Sequence, residues 1–144
     1  MSTSKIRNIA YYESWAMTRA CDKVSPEDLD LTGLTHVNFA FAFFHPETFE
    51  IAPMDANAGK LYSRFTDLKS KFTGLQTWIA VGGWSFNDDT NSPNTRTAFS
   101  DMASTPANRK KFINSLIKFM ETYGFDGADF DWEYPGADDR GGRP

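Results

Sequence analysis

Cys21 is the one cysteine among 144 residues, which excludes both an internal disulfide and a zinc site built on several thiolates. The lone thiol sits among Met, Thr and Asp and is read as inert. Basic residues never cluster beyond Arg109-Lys110-Lys111, and the formal net charge is −4. That balance argues against nucleic acid or an anionic membrane as a partner and suits a neutral substrate. No apolar run reaches the length of a membrane span. Residues 1–5 lack the apolar stretch of a secretory signal. Either the protein stays inside the cell, or its true N-terminus with a signal lies outside this sequence. Internal repeats and low-complexity tracts are missing as well.

Aromatics, by contrast, are plentiful: 13 Phe, 5 Tyr and 4 Trp. Most of the Phe should fill a core, but Trp15, Trp84 and Trp132 lie at the ends of expected strands, where flat faces can line a ligand groove. Residues 6–13, 36–43, 76–81 and 125–133 are short runs rich in β-branched and aromatic side chains. Leu61, Phe65, Leu68 and Phe72 form the stripe of an amphipathic helix, with Gly74 as its stop. The clearest helix is bounded by Thr105 as cap, Pro106 at its first position and Gly124 at its end. Phe112, Ile113, Leu116, Ile117, Phe119, Met120 and Tyr123 are its apolar face. Ser25-Pro26-Glu27-Asp28 starts a shorter first helix, residues 45–57 read as a hairpin excursion, residues 87–94 as a polar loop, and 136–144 as a terminal loop. Strands thus alternate with helices, their starts about 30 to 50 residues apart, as parallel βαβ units require.

The chemistry concentrates in Asp126-Gly-Ala-Asp129-Phe-Asp131-Trp-Glu133-Tyr-Pro135. Side chains alternate along a strand, so Asp129, Asp131 and Glu133 share one face while Phe130 and Trp132 point to the covering helices. Carboxylates stacked on a buried face raise one another's proton affinity by repulsion and desolvation. Such stacks suit a site where one member must donate a proton near neutral pH. Glu133, nearest the C-terminal end of the strand, reaches furthest into the mouth where barrel active sites lie. Two other readings stay open on the residues alone. A strand with one face in water fits poorly beside Phe125, Phe130 and Trp132. A Mg²⁺ or Ca²⁺ site is compatible with aligned carboxylates, although no second ligand cluster accompanies it.

The segment resembles the active-site signature of glycoside hydrolase family 18: Asp-x-x-Asp-x-Asp-x-Glu followed by Tyr-Pro, with Trp132 favouring the chitinase branch. Ala80-Val81-Gly82-Gly83-Trp84, Tyr11-Tyr12-Glu13-Ser14-Trp15 and Thr35-His36-Val37-Asn38-Phe39-Ala40-Phe41-Ala42 resemble further family segments in the family's order. Their wording looks most like the fungal killer-toxin-like subgroup. The resemblance implies a (β/α)₈ barrel, of which residues 1–144 are a partial catalytic domain: the first four parallel strands, in order, with helices on the outer face. It implies an extracellular chitinase acting on chitin or N-acetylglucosamine oligosaccharides by a substrate-assisted, retaining mechanism. Neither metal nor other cofactor is implied.

In that scheme Glu133 is the catalytic acid, Asp131 orients the substrate acetamide, and Asp129 holds the shared proton at rest. Tyr11 hydrogen-bonds the Asp129/Asp131 pair. Trp15 and Trp84 stack on sugars, Phe41 walls the subsite beside the acid, and Gly83 and Tyr134 join the substrate-binding set. Gly82 is structural, permitting close backbone approach at a strand end. Asp126, out of phase with the other acids, is a structural hydrogen bonder where the strand begins. Ala80 stands where family members often carry Ser, so the resting Asp pair lacks one donor. A complete barrel needs eight strands and about 250 residues. The rest of the barrel, with a Tyr supporting the oxazolinium ion and a Trp flooring the cleavage subsite, is expected outside these residues. The alternative is a non-catalytic chitin-binding or vestigial fragment.

Overall fold

The computed structural model describes residues 6–92 and 94–143. Residues 1–5, Pro93 in the expected polar loop and Pro144 in the tail lie outside that description. The described residues form one sheet of five strands: β1 (Ile9–Glu13), β2 (His36–Phe44), β3 (Ile51–Pro53), β4 (Gln76–Gly82) and β5 (Gly127–Asp131). β1, β2, β4 and β5 follow one another in parallel, and they are the four strands expected from sequence. β3 turns back antiparallel on β2, pairing Phe43 with Ala52, and forms the arm of the hairpin expected at 45–57.

The register sorts the side chains. Tyr11 pairs with Asn38, Asn38 with Trp78, and Trp78 with Gly127. By alternation these four share one face with Ala40, Ala80, Asp129 and Asp131. The opposite face carries Val37, Phe39, Ile79 and Val81, all buried in the core with Phe65, Leu68, Phe112, Leu116 and Phe119. The helices therefore cover one side of the sheet and leave the other concave. This is the outer-layer arrangement of a barrel rather than a doubly wound sheet. Among the described residues the sheet runs from β1 to β5 without pairing those two strands.

Four α-helices are present among the described residues: α1 (Ala56–Gly59), α2 (Tyr62–Thr66), α3 (Ala98–Ser104) and α4 (Pro106–Tyr123). α4 follows its sequence signals closely. Thr105 Oγ1 accepts from the Asn108 amide at 3.1 Å, and Gly124 ends the helix at φ 81° with its amide on Met120 O. Its apolar face is narrower than the sequence suggests, because Ile113 and Ile117 are half exposed while Phe112, Leu116 and Phe119 are buried.

Elsewhere tertiary contacts overrule the local pattern. The stripe from Leu61 to Phe72 is split into α2 and a 3₁₀ turn (Asp67–Ser70). Thr66 sits at the break, its hydroxyl donating to Tyr123 O at 2.6 Å, a bond that holds the chain against the end of α4. The helix expected to start at Ser25 is a single 3₁₀ turn, Pro26–Asp28, closed by a capping box in which Asp28 accepts from the Ser25 amide and hydroxyl. Leu29 is already extended, since this stretch has no apolar stripe to reward further turns. α3 has no counterpart in the sequence reading; Ala98 and Phe99 anchor it in the core.

Phe130 was expected under the helices and is instead 56% exposed. It does lie on the helix side, with its ring 5.7 Å from Phe112. α4 covers only one flank of β5, and no α-helix follows β5 among the described residues, only a 3₁₀ turn (Asp138–Arg140). Trp132 stacks on Phe99 at 5.4 Å.

Candidate active site

Parallel strands turn over at their C-terminal ends, and those ends gather the acids and aromatics. Asp129 and Asp131 project from the concave face of β5, opposite Ala80 and Gly82 of β4. Glu133 was expected within the strand but lies two residues beyond its end. Its amide donates to Asn87 Oδ1 at 3.3 Å, and Asn87 is almost wholly buried. Glu133 therefore extends from a tethered turn above the sheet rather than from the ladder.

Asp129 lies deepest of the three along the strand and has two donors. Tyr11 Oη donates to its Oδ2 at 2.5 Å, and Asn38 Nδ2 approaches the same oxygen at 3.4 Å. Ala80, buried beside it in the ladder, offers only a methyl. Desolvation, and secondarily the bond to Asp129, raises the Tyr11 phenol above its ordinary pKa. Asp131 is pushed up to about 6, first by desolvation, then by the charge and hydrogen bond of Glu133, and last by Asp129. A carboxyl with that affinity is partly protonated at mildly acidic pH.

The shift has a consequence for stability. The folded chain binds a proton at Asp131 that the unfolded chain releases from about pH 4, so stability falls as pH rises to about 6 and is level beyond. Asp131→Asn should remove this slope. Relative to the wild-type profile it should gain on the order of 2 kcal/mol across the window, after discounting for partial exposure. Urea midpoints from pH 4 to 7 measure the difference; parallel profiles would contradict the assignment.

Asp131 and Glu133 border a cavity of about 470 Å³ whose other walls include Trp15, Phe41, Phe43, Met54, Gly82 and Trp84. Phe41 occupies the shift in register between Ala40 and Ala42. Its ring stacks with Trp15 at 6.1 Å. A Cβ on Gly83 would stand 2.8 Å from that ring, and Gly83 has φ +90°. Only glycine permits both the turn and the approach. Gly82 is equally constrained: at φ +105°, an added Cβ would fall 2.5 Å from Asp131 O. The Gly83 amide donates to that oxygen at 2.9 Å, which ties the end of β4 to the start of the acid turn.

Trp15 lies on a 3₁₀ turn (Ser14–Thr18) after β1 rather than on the strand itself. Tyr134 is half exposed and is not a wall of the cavity. Its phenol is raised by the hydrogen bond and charge of Glu133. Asp126 lies at the other end of β5, where Oδ2 accepts from the Thr77 amide at 2.8 Å and Oδ1 meets Lys69 at 2.9 Å. A second groove, about 830 Å³, runs between the β3 hairpin and α4 and contains none of the three acids.

Asn38, Asn87 and Arg140 were not singled out in the sequence. Asn38 could have been, since it has the parity of His36 and Ala40 on the concave face. Nothing local marks Asn87 or Arg140. Among the described residues, no group of three or more His, Cys, Asp or Glu side chains is placed to hold a metal ion.

A family model for glycosyl hydrolases family 18 matches residues 7–142. Chitotriosidase-1 of Mus musculus is 36% identical over 135 residues, covering 93% of this chain and 27% of its own length. An endochitinase of Manduca sexta is 32% identical over 145 residues, covering 98% of this chain and 25% of its own. The crystal structure of a Group IV chitinase of Ostrinia furnacalis in complex with allosamidin aligns with TM-score 0.80 and 32% identity. That alignment covers 93% of this chain and 35% of the other. The chain thus spans about a quarter of the length of these curated relatives and about a third of the solved one. All three are animal proteins, so the expected likeness to a fungal killer-toxin-like subgroup receives no support from them. With the match extending over nearly its whole length, the chain belongs to glycosyl hydrolases family 18.

Proposed function

We propose that this chain is the acid-bearing part of a chitinase, hydrolysing β-1,4 links between N-acetylglucosamine units outside the cell. The observation that carries the reading is the shared cavity, lined by Asp131 and Glu133 together with Trp15, Phe41 and Trp84. Flat apolar walls suit the faces of a neutral pyranose, and the acids stand where a glycosidic bond would cross them.

Glu133 gives its proton to the glycosidic oxygen as the bond to the anomeric carbon breaks. The carbonyl oxygen of the substrate's own acetamido group attacks that carbon, closing an oxazolinium ring. Asp131 turns from Asp129 and accepts the acetamide N–H, which orients the carbonyl and balances the developing positive charge. Asp129, held by Tyr11, keeps the proton that the pair shares at rest. Water then attacks the anomeric carbon and displaces the acetamido oxygen, which opens the ring and restores the acetamide, while the water gives its proton to the Glu133 carboxylate. Two displacements at one carbon leave its configuration unchanged. The pKa of Asp131, raised towards 6, supports a carboxyl that changes partners during the cycle.

The rest of the barrel belongs to this proposal, since the matched relatives are several times longer than the chain. A protein carrying the chain within a whole barrel should release β-anomers from chitotetraose. Proton NMR during the first minutes of hydrolysis reads the anomer, and initial α-product would overturn the mechanism.

A further inference from the structure

Arg140 belongs to none of the motifs that point to the cavity, yet it contacts one of its walls. Its guanidinium carbon lies 3.7 Å from the centre of the Trp84 ring, a cation stacked on an indole face. Nη1 donates to Asp88 Oδ2 and Nη2 to the Trp84 carbonyl, each at 3.2 Å. The side chains of Arg140 and Asp88 are 13% and 18% exposed, so the pair is largely withdrawn from water. Asp88 is itself fixed by the Thr90 amide at 2.8 Å. Behind Arg140, Ser100 Oγ donates to Gly141 O at 2.9 Å and Arg96 Nη2 to Asp138 O at 3.2 Å. The guanidinium keeps this place although its Nε–H is buried without a partner, a cost that the stacking and the two hydrogen bonds must exceed.

Resting on the sugar-binding reading above, we infer that Arg140 is a positioning residue that clamps Trp84 from behind and leaves its other face to the sugar beside Glu133. Trp84 and Glu133 both border the cavity and Arg140 does not, which supports placing the cation on the ring face turned from the cavity. Trp84 is 50% exposed, and without the clamp the orientation of its ring would have to be fixed anew each time a sugar binds. The planar fork of arginine meets the ring, a carboxylate and a carbonyl at once, which a lysine ammonium cannot do. The clamp also joins the loop after β4 to the loop after β5, so it sets the indole relative to the acid.

Two measurements on the 144-residue chain, or on a whole barrel containing it, decide the matter. The first is ¹⁵N relaxation of the Trp84 indole N–H without sugar. The ring should be rigid in wild type, mobile in Arg140→Ala, and intermediate in Arg140→Lys and Asp88→Asn. The second is calorimetric affinity for chitotetraose. Arg140→Ala should bind about tenfold more weakly. The double variant with Trp84→Ala should bind no more weakly than Trp84→Ala alone, because Arg140 acts through the ring. Should Arg140→Ala not fold, Arg140→Lys and Asp88→Asn carry the same comparison. Unchanged ring mobility, or losses that add in the double variant, would overturn the inference. A wild-type protein that binds no oligomer would instead overturn the sugar-binding reading, while the relaxation data still decide the clamp.

Discussion

Glu133→Gln, placed in a whole barrel, should lower kcat by about 10³-fold or more while leaving chitotetraose affinity within about twofold. The amide keeps the shape and most of the contacts of the carboxyl but has no proton to give at the leaving oxygen. That interaction exists only in the transition state, so its loss falls on kcat and not on binding. The backbone tether at this position does not depend on the side chain, because it is the Glu133 amide that meets Asn87. The variant should therefore fold as wild type does. Fluorogenic chitobioside hydrolysis reads kcat and calorimetry reads affinity. An unimpaired variant would remove Glu133 from the role of acid.

The second large effect concerns completion. The 144-residue chain alone should hydrolyse chitobioside at least about 10²-fold more slowly than the same chain within a whole barrel. It should also associate in sedimentation experiments. The concave face leaves Ile9 and Tyr11 about half exposed, and Phe130 is open on the other side of the sheet. β1 and β5 each end the sheet with unpaired backbone groups, and uncovered parallel edges invite pairing with another chain. On the proposed mechanism, the chain's part of the site would stack and protonate a sugar. By family resemblance, the groups that support the oxazolinium ion come from later strands. Rapid turnover by a monomeric chain would contradict this division of labour. Binding of chitotetraose without turnover in the whole barrel would instead favour the non-catalytic reading.

What could be read in the sequence, and what could not, follows from the range of the forces involved. α4 was legible to the residue because its cap, first-turn proline and terminal glycine act within a few residues of themselves. The face shared by Asp129 and Asp131 was legible because alternation is a property of any extended chain. The order of the four parallel strands was legible from the alternation of strands and helices along the chain, because consecutive βαβ strands lie side by side. Parity, however, names a face and not a neighbour across it. Tyr11 reaches Asp129 over 118 residues of chain, a contact that the family resemblance supplied and the residues alone could not, because its register is set only in the assembled ladder. Where β5 stops, and hence that Glu133 rises from a turn held by Asn87, depends on a loop from another strand. The splitting of the second helix and the clamp of Arg140 on Trp84 likewise arise from side chains distant in sequence. Phe130 shows the same limit from the other side. Its hydrophobicity directed it to the helix layer, but how far it is covered depends on how many helices flank its strand. Local chemistry determined which residues could form a site, and tertiary contacts determined their distances, because each distance sums over a register and a turn that no single segment encodes.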